Sequence, residues 1–192
     1  MYSPTAHLKE SLPIKGYAGH SGRFDVIVRS ILASAVNEKE CFIGFLGGHV
    51  ERSNIKTLIV PDTFRLRSLS EKSVFLLIYR CFINNHTCEN ILISEIEPAF
   101  LINKLRKDSY NLFLLDENGD DYCKHLGKMV PGKSVFIMGA HEDIPVETLN
   151  FFEKYSAKIS IGPIPLHTSQ VITYLSTVLK RLYNQTMPCP KF

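Results

Sequence analysis

Residues 134–167 read SVFIMGAHEDIPVETLNFFEKYSAKISIGPIPLH and hold the clearest structural pattern in the chain. Ser134 to Met138 is an apolar run with the length of a buried strand, and Lys158 to Ile161 is predicted to form another strand. Between them, apolar residues recur at helical spacing from Val146 to Tyr155, and a further helix is predicted from Thr168 to Tyr183. A strand, a helix and a second strand in this order are typical of a parallel α/β unit.

The same alternation of strands and helices continues toward the N-terminus. The predicted elements, in chain order, are a helix over Arg23–Val36, strands over Cys41–Leu46 and Lys56–Val60, a helix over Glu71–Phe82 with Ser70 as its N-cap, a strand over Ile91–Ser94, a helix over Pro98–Lys107, a strand over Asn111–Leu115 and a left-handed turn over Asp116–Asp120. We therefore expect one α/β domain over residues 1–192, with a mainly parallel sheet flanked by helices.

Glycines end the two strands of the opening stretch. Gly139 follows the first strand and Gly162 follows the second. Open parallel sheets bind small ligands at their carboxyl edge, where glycine lets the backbone approach a ligand closely. Tight turns would explain the same two glycines, and the spacing alone leaves both explanations open. Neither a dinucleotide-binding Gly-x-Gly-x-x-Gly nor a Gly-Lys-Ser/Thr occurs in the sequence, which disfavours dinucleotides and nucleoside triphosphates.

Composition and charge narrow the class of protein further. The formal net charge of +3 is compatible with a polyanionic partner. Five cysteines at irregular spacing favour reduced thiols and a cytoplasmic location. The apolar runs fall short of the roughly 20 residues that cross a bilayer, and residues 1–16 lack the apolar segment of a secretory signal. We therefore expect no membrane contact. No cysteine or histidine spacing is typical of zinc, so we also expect no metal.

Four blocks of the sequence occur in an order known from one enzyme family. They are GRFDVIVRSIL at 22–32, Leu115 ahead of an Asn-Gly pair at 118–119, VFIMGAH at 135–141 and KISIGPIPLH at 158–167. Together they resemble the archaeal tRNA pseudouridine-54 N1-methyltransferases, which belong to the knotted α/β (SPOUT) class. The resemblance extends over residues 22–183.

The resemblance implies a fold, a cofactor and a partner. The C-terminal part of the sheet would form a deep trefoil knot, an exception to the rule against threaded chains. The cofactor would be S-adenosylmethionine, the substrate RNA would be tRNA, and the enzyme would be a homodimer that pairs through its first and last helices. The aligned cofactor-binding residues are Leu115, Gly139, Ile161, Gly162, Pro163, Ile164, Pro165, Leu166 and Val171.

Two residues at the start of the first helix are the candidates for catalysis. Asp25 could accept or steer the proton on N1 of pseudouridine, since a carboxylate within hydrogen-bond reach assists such a transfer. Its structural alternative is to cap the helix or to pair with Arg29 one turn later. Arg23 could hold a phosphate or a uracil carbonyl, because its planar fork suits oxyanions. A solvated surface position is the alternative for Arg23.

Three features depart from the family pattern. Ala140 stands where relatives often carry Asp, Gln170 and Val171 stand where they often carry His and Cys, and the N-terminus looks too short and polar to form the usual first strand. Two other functions therefore stay open. One is methylation of a ribosomal RNA pseudouridine, and the other is RNA binding or scaffolding without catalysis.

Overall fold

The computed structural model describes residues 1–35, 40–47, 55–64, 70–83, 87–88 and 91–185, with only the backbone considered at 87–88 and 183–185. The strands are β1 (Tyr2–Ser3), β2 (Phe42–Leu46), β3 (Lys56–Val60), β4 (Thr87–Cys88), β5 (Ile91–Ser94), β6 (Asn111–Asp121), β7 (Ser134–Ile137) and β8 (Ala157–Ser160). The helices are α1 (Tyr17–His20), α2 (Phe24–Ala35), α3 (Glu71–Ile83), α4 (Pro98–Lys107), α5 (Val146–Tyr155) and α6 (Thr168–Gln185), with a 3-10 helix over Tyr122–Lys128.

Most elements predicted from periodicity are confirmed. Strands β3 and β5 and helices α4 and α5 have the predicted bounds. Ser70 caps α3, because its Oγ accepts a hydrogen bond from the backbone N–H of Ser73 at 3.1 Å. The predicted end of the first helix at Val36 lies outside the described residues, and α6 runs on to Gln185.

The strands form two sheets that meet at β1. One sheet has the order β1-β2-β3-β5-β4, and the other has the order β7-β6-β8 with parallel pairing throughout. A parallel bridge between Tyr2 and Gly139 joins β1 to the end of β7. Strands β2, β3, β5 and β4 pair antiparallel. The expectation of a mainly parallel sheet therefore holds for the C-terminal half and misses the antiparallel N-terminal half.

The helices cover both faces of these sheets. On one face, α2, α3 and α6 bury a large apolar cluster that includes Phe24, Ile27, Phe75 and Ile172. On the other face, α4 and α5 bury a second cluster around Leu114 and other apolar side chains. This α/β layering leaves the carboxyl and amino edges of the parallel strands accessible.

The segment 116–120 is not the left-handed turn that its polar sequence predicted. It lies within β6, which bulges between Leu115 and Asp120 and then pairs again with β8. Asn118 and Gly119 are absent from the positive-φ positions of the described residues. A Cβ on Gly119 would come within 2.5 Å of the Ile159 backbone, so glycine here allows two strands to approach closely.

Two further expectations are corrected. The N-terminus does supply a strand, because Tyr2 and Ser3 pair in parallel with Phe45 and Leu46. Cys81 is disulfide-bonded, against the expectation of reduced thiols. Within the described residues, the structure contains no helix that is both long enough and apolar enough to span a membrane.

Candidate active site

The start of α2 holds a buried carboxylate between two arginines. Arg23 donates from Nε to Oδ1 of Asp25 at 2.9 Å and from Nη2 to Oδ2 at 3.0 Å. Arg29, one turn later, has its Nη2 3.2 Å from the same Oδ2. Asp25 is buried, whereas both arginine side chains are 48% exposed. The alternative of an Asp25–Arg29 pair is therefore confirmed, and Arg23 joins that pair.

This arrangement makes Asp25 a persistent anion. The hydrogen bonds from Arg23 lower the pKa of Asp25, burial opposes that shift, and the charges of Arg23 and Arg29 lower the pKa further. The row of charges continues outward, because Arg29 donates from Nε to Oε1 of Glu71 at 2.9 Å. Asp25 is thus a weaker proton acceptor than a free carboxylate and a strong hydrogen-bond acceptor.

The backbone that presents Arg23 is in a conformation that most residues avoid. Gly22 and Arg23 have φ of 58° and 65°, which is the left-handed region. A Cβ on Gly22 would lie 1.8 Å from the carbonyl oxygen of Thr5, so only glycine fits there. Arg23 carries a Cβ, so the left-handed conformation is strained at this residue. Strained backbone of this kind clusters at functional sites.

The predicted cofactor residues Leu115, Gly139 and Ile161 lie along one edge of the parallel sheet. Leu114 pairs with Ile137 in β7 and Leu115 pairs with Ile159 in β8. Gly139 and Ile161 come just after these two strands. Parallel sheets bind ligands at the carboxyl ends of their strands. We use the name carboxyl-edge loops for Leu115, Gly139, residues 161–166 and Val171.

The two glycines of the carboxyl-edge loops differ from Gly22 and Gly119, where an added Cβ would overlap the backbone. A Cβ on Gly139 would meet its nearest atom, the Glu142 carbonyl oxygen, at an ordinary 3.4 Å. A Cβ on Gly162 would meet nothing within 4 Å, although its φ of 156° still strains other residues. The close packing of the chain therefore does not account for glycine at 139, and the space beside Gly162 is open.

The loop over 161–166 exposes apolar side chains. Ile164 is 71% exposed and Leu166 is 42% exposed. Its end is held in place by Thr168, whose Oγ1 donates to the carbonyl oxygens of Gly139 at 2.9 Å and Ala140 at 3.1 Å. This bond ties the loop and the start of α6 to the end of β7. Val171 is half-buried against the large apolar cluster rather than open to the loop.

A short backbone path connects the two parts of the site. Thr5 donates from Oγ1 to the carbonyl oxygen of Gly22 at 3.2 Å, next to Arg23. Three residues earlier, Tyr2 exchanges backbone hydrogen bonds with Met138 and Ala140 around Gly139. Among the described residues, no hydrogen bond or ion pair joins Arg23 or Asp25 directly to the loop 161–166.

Comparison with known proteins gives the family. Residues 1–183 match the family described as "Putative SAM-dependent RNA methyltransferase". The chain belongs to this family of S-adenosylmethionine-dependent RNA methyltransferases. A relative from Aeropyrum pernix, named tRNA (pseudouridine(54)-N(1))-methyltransferase, is 30% identical over 92% of this chain and 90% of its own length. A Pyrococcus abyssi protein of the same name is 23% identical over 92% of this chain and 94% of its own.

A solved structure supports the fold of this methyltransferase. Nep1 from Archaeoglobus fulgidus, crystallised with S-adenosylhomocysteine, superposes with a TM-score of 0.62 at 17% identity. The match covers 85% of this chain and 73% of that one. The α/β architecture of the methyltransferase is therefore SPOUT-like. Among the described residues, no group of three or more His, Cys, Asp or Glu side chains could hold a metal.

The carboxyl-edge loops of the methyltransferase fit S-adenosylmethionine. Open space at Gly162 and exposed apolar side chains at Ile164 and Leu166 suit a flat, partly apolar ligand. The departures from the family pattern do not disturb this surface. Ala140 contributes only its backbone N–H and carbonyl, and Gln170 accepts a hydrogen bond through Oε1 from the backbone N–H of His167 at 2.9 Å.

Several residues that build the candidate site were not predicted from the sequence. Thr5 and Thr168 are common residue types, and nothing in their local sequence marks their hydrogen bonds across the fold. Glu71 lies 42 residues from Arg29 in sequence, so only the packing of α3 beside α2 brings them together.

Proposed function

We propose that this methyltransferase modifies N1 of pseudouridine at position 54 in the T-arm of tRNA. The observation that carries the proposal is the full-length similarity to the Aeropyrum pernix enzyme of that name. The pair of buried Asp25 and exposed Arg23 supports it, because an anion held beside exposed guanidinium groups suits a nucleobase N–H with a neighbouring carbonyl or phosphate.

The proposed cofactor-binding residues are Leu115, Gly139, Ile161, Gly162, Pro163, Ile164, Pro165, Leu166 and Val171. S-adenosylmethionine supplies an electrophilic methyl group on a sulfonium. The backbone of the 161–166 loop would bind its polar parts, while Ile164 and Leu166 would cover its apolar surface. Val171 would act from behind the loop, since it packs into the apolar cluster.

The proposed catalytic residues are Asp25 and Arg23. Asp25 would accept a hydrogen bond from N1–H of the pseudouridine and orient the nucleophile, a role that fits its lowered pKa better than full proton removal. As the N1–methyl bond forms and the methyl–sulfur bond breaks, the N1 proton would pass to water. Arg23 would hold Asp25 through two of its N–H groups and offer the remaining donors to a uracil carbonyl or a phosphate.

We also propose that the methyltransferase is a homodimer, that its chain is knotted and that it acts in the cytoplasm. A homodimer is supported by α6, whose residues 168–179 include no charged side chain although Thr173, Tyr174 and Thr177 are exposed. The apolar faces of α2 and α6 are buried within the chain, at Ile27 and Ile172 among others, so they do not form this interface. The C-terminal segment would form a deep trefoil knot, and the enzyme would act in the cytoplasm.

The test is methylation of matched tRNA transcripts that carry either uridine or pseudouridine at the T-arm position. Nucleoside mass spectrometry should detect N1-methylpseudouridine only in the second transcript. Methylation of the uridine transcript would contradict the acceptor. Transfer to a ribosomal RNA fragment with pseudouridine, but not to tRNA, would favour the ribosomal alternative, and absence of S-adenosylmethionine binding by calorimetry would favour a scaffold.

A further inference from the structure

Cations converge at the amino edge of the parallel sheet, opposite the carboxyl-edge loops. Arg106 and Lys107 end α4, Lys133 immediately precedes β7, and Lys154 lies in the last turn of α5 just before β8. All four side chains belong to exposed residues. Because β6, β7 and β8 run parallel, the turns that carry these residues meet at one edge. We call these four residues the basic edge.

Two aromatic rings hold the basic edge in place. The Arg106 guanidinium carbon lies 4.0 Å from the centre of the Tyr155 ring, and Lys154 Nζ lies 5.3 Å from the same ring. Lys133 Nζ lies 4.7 Å from the centre of the Tyr110 ring. Such cation–π contacts reduce the conformational freedom of long side chains. Each of the two rings therefore has at least one cation over it.

The basic edge lacks charge compensation. Across the described parts of the chain, none of its four cations forms an ion pair with a carboxylate. Glu153, the neighbour of Lys154, is engaged with Lys158 at 3.1 Å. Lys133 donates to the backbone carbonyl of Asp108 at 3.0 Å rather than to its carboxylate. Helix-dipole complementarity accounts for cations at the end of α4, but it does not account for Lys133, which lies outside any helix.

A surface depression adjoins these charges. It measures about 370 Å³ and is lined by Asn103, Arg106 and Lys107 of α4. An amide and two cations around a shallow concavity can donate hydrogen bonds to a phosphate group. The helix ends in a tight turn next to this surface, in which Tyr110 N–H donates to the Leu105 carbonyl and Ser109 takes a left-handed φ of 60°.

We propose that the basic edge binds the phosphate backbone of the substrate RNA, away from the modified nucleotide. The inference deepens the proposed function and rests on it for the identity of the RNA. Exposed lysine and arginine side chains bind phosphate groups through their charge, so we expect the contact to be independent of nucleotide sequence. The basic edge acts on RNA affinity and does not touch the reacting atoms.

The experiment compares two charge-matched double variants. Arg106→Gln/Lys107→Gln removes two cations from the basic edge. Lys56→Gln/Lys124→Gln removes the same net charge from two lysines that already pair with carboxylates, those of Glu95 and Asp120. Fluorescence anisotropy with a labelled tRNA transcript at several salt concentrations gives Kd, and methylation assays give KM and kcat. Thermal unfolding checks that both variants fold.

The basic-edge variant should bind tRNA about tenfold more weakly and lower the slope of log Kd against log salt by about 1 to 2, as expected when one or two phosphate contacts are lost. Its KM for tRNA should rise while kcat and S-adenosylhomocysteine affinity stay within about twofold of wild type. The matched control should change Kd by less than about threefold, because its lysines are already neutralised.

The outcomes separate the two proposals. Equal Kd and equal salt slope in both variants would overturn the basic edge as an RNA contact, whatever the activity. Wild-type protein that binds tRNA through the basic edge but transfers no methyl group would overturn the proposed function and leave the RNA contact supported. Binding of the wild type to anionic vesicles but not to RNA would overturn the RNA assignment.

Discussion

Asp25 is held as an anion by two arginines, and this explains why a carboxylate can lie buried at a helix start without being neutralised. We predict that Asp25→Asn lowers methyl transfer to pseudouridine-containing tRNA by about 10²-fold or more, the scale of losing a proton-steering group. S-adenosylhomocysteine affinity should be unchanged by calorimetry. Glu71→Gln, at the exposed end of the same charge row, is the control and should change activity only a few-fold. Equal activity of Asp25→Asn and wild type would remove Asp25 from the mechanism.

The lowered pKa of Asp25 also makes stability depend on pH. A carboxyl whose pKa is lower in the folded state contributes stability at and above its ordinary pKa of 3.8, and this contribution is lost as the pH falls through the lower folded pKa. We predict that the urea midpoint of the wild type drops between pH 5 and pH 3 by more than that of Asp25→Asn. Parallel pH profiles for the two proteins would show that the arginines do not stabilise the ionised form.

We expect Gly22 to be needed for folding and Gly139 for cofactor binding, and replacing each with alanine distinguishes these two roles. Gly22→Ala should cost at least about 2 kcal/mol of folding free energy, because its Cβ would overlap the Thr5 carbonyl in a left-handed conformation. Gly139→Ala should fold with a Tm near that of wild type, since its Cβ meets only an ordinary contact. We predict that Gly139→Ala nevertheless binds S-adenosylhomocysteine at least about tenfold more weakly. Wild-type affinity in Gly139→Ala would exclude close approach of the cofactor there.

At the scale of the elements, hydrophobic periodicity predicted the strands and helices whose formation depends on their own local sequence. Strand β3 and helices α4 and α5 carry uninterrupted strand or helix patterns with clear end signals, and their bounds agree with the structure. Strand β1 is only two residues long and depends on its two neighbours for pairing. The segment 116–120 has turn-forming residues, yet pairing with β8 keeps it within a strand.

Part of the candidate site could also be predicted, namely the part that local sequence patterns mark. The strand-end glycines and Asp25 occur in local patterns that mark a sheet edge and a helix start. The double hydrogen bond from Arg23 to Asp25 depends on a left-handed arginine, which no periodicity indicates. The tie from Thr168 to Gly139 spans 29 residues and two elements, so it required the tertiary structure.

That tie leads to a prediction about α6. Thr168 is buried, and its hydroxyl satisfies two carbonyl oxygens at the end of β7. Thr168→Val keeps the shape but removes the donor, so it should cost about 1–3 kcal/mol and weaken S-adenosylhomocysteine binding by loosening the loop. Thr173→Val on the exposed side of α6, whose hydroxyl bonds only within the helix, should cost about 0.5 kcal/mol or less. Chemical denaturation and calorimetry measure both effects, and equal losses in the two variants would argue against the tie.

Over the whole molecule, the two edges of the parallel sheet carry different properties. The carboxyl-edge loops are apolar and open around Gly162, whereas the basic edge is cationic. Only about four residues of strand separate them, a span of roughly 13 Å at the rise of a parallel strand. An extended polyanion is long enough to contact both, so chemistry and backbone affinity can reside on opposite edges and be altered independently.

The uncharged outer side of α6 predicts the assembly of the whole molecule. Helices that face water normally carry charged residues, yet residues 168–179 carry none and Tyr174 is 38% exposed. In a two-fold homodimer this helix would meet its own copy, so added charges would face each other across the axis. Light scattering at micromolar concentration should give twice the chain mass of 21.8 kDa for the wild type and a single chain mass for Thr173→Arg/Thr177→Arg. The control Val146→Arg/Asn150→Arg places the same charges one turn apart on exposed α5 and should remain dimeric. A monomeric wild type, or a dimeric α6 variant, would show that α6 does not form the interface.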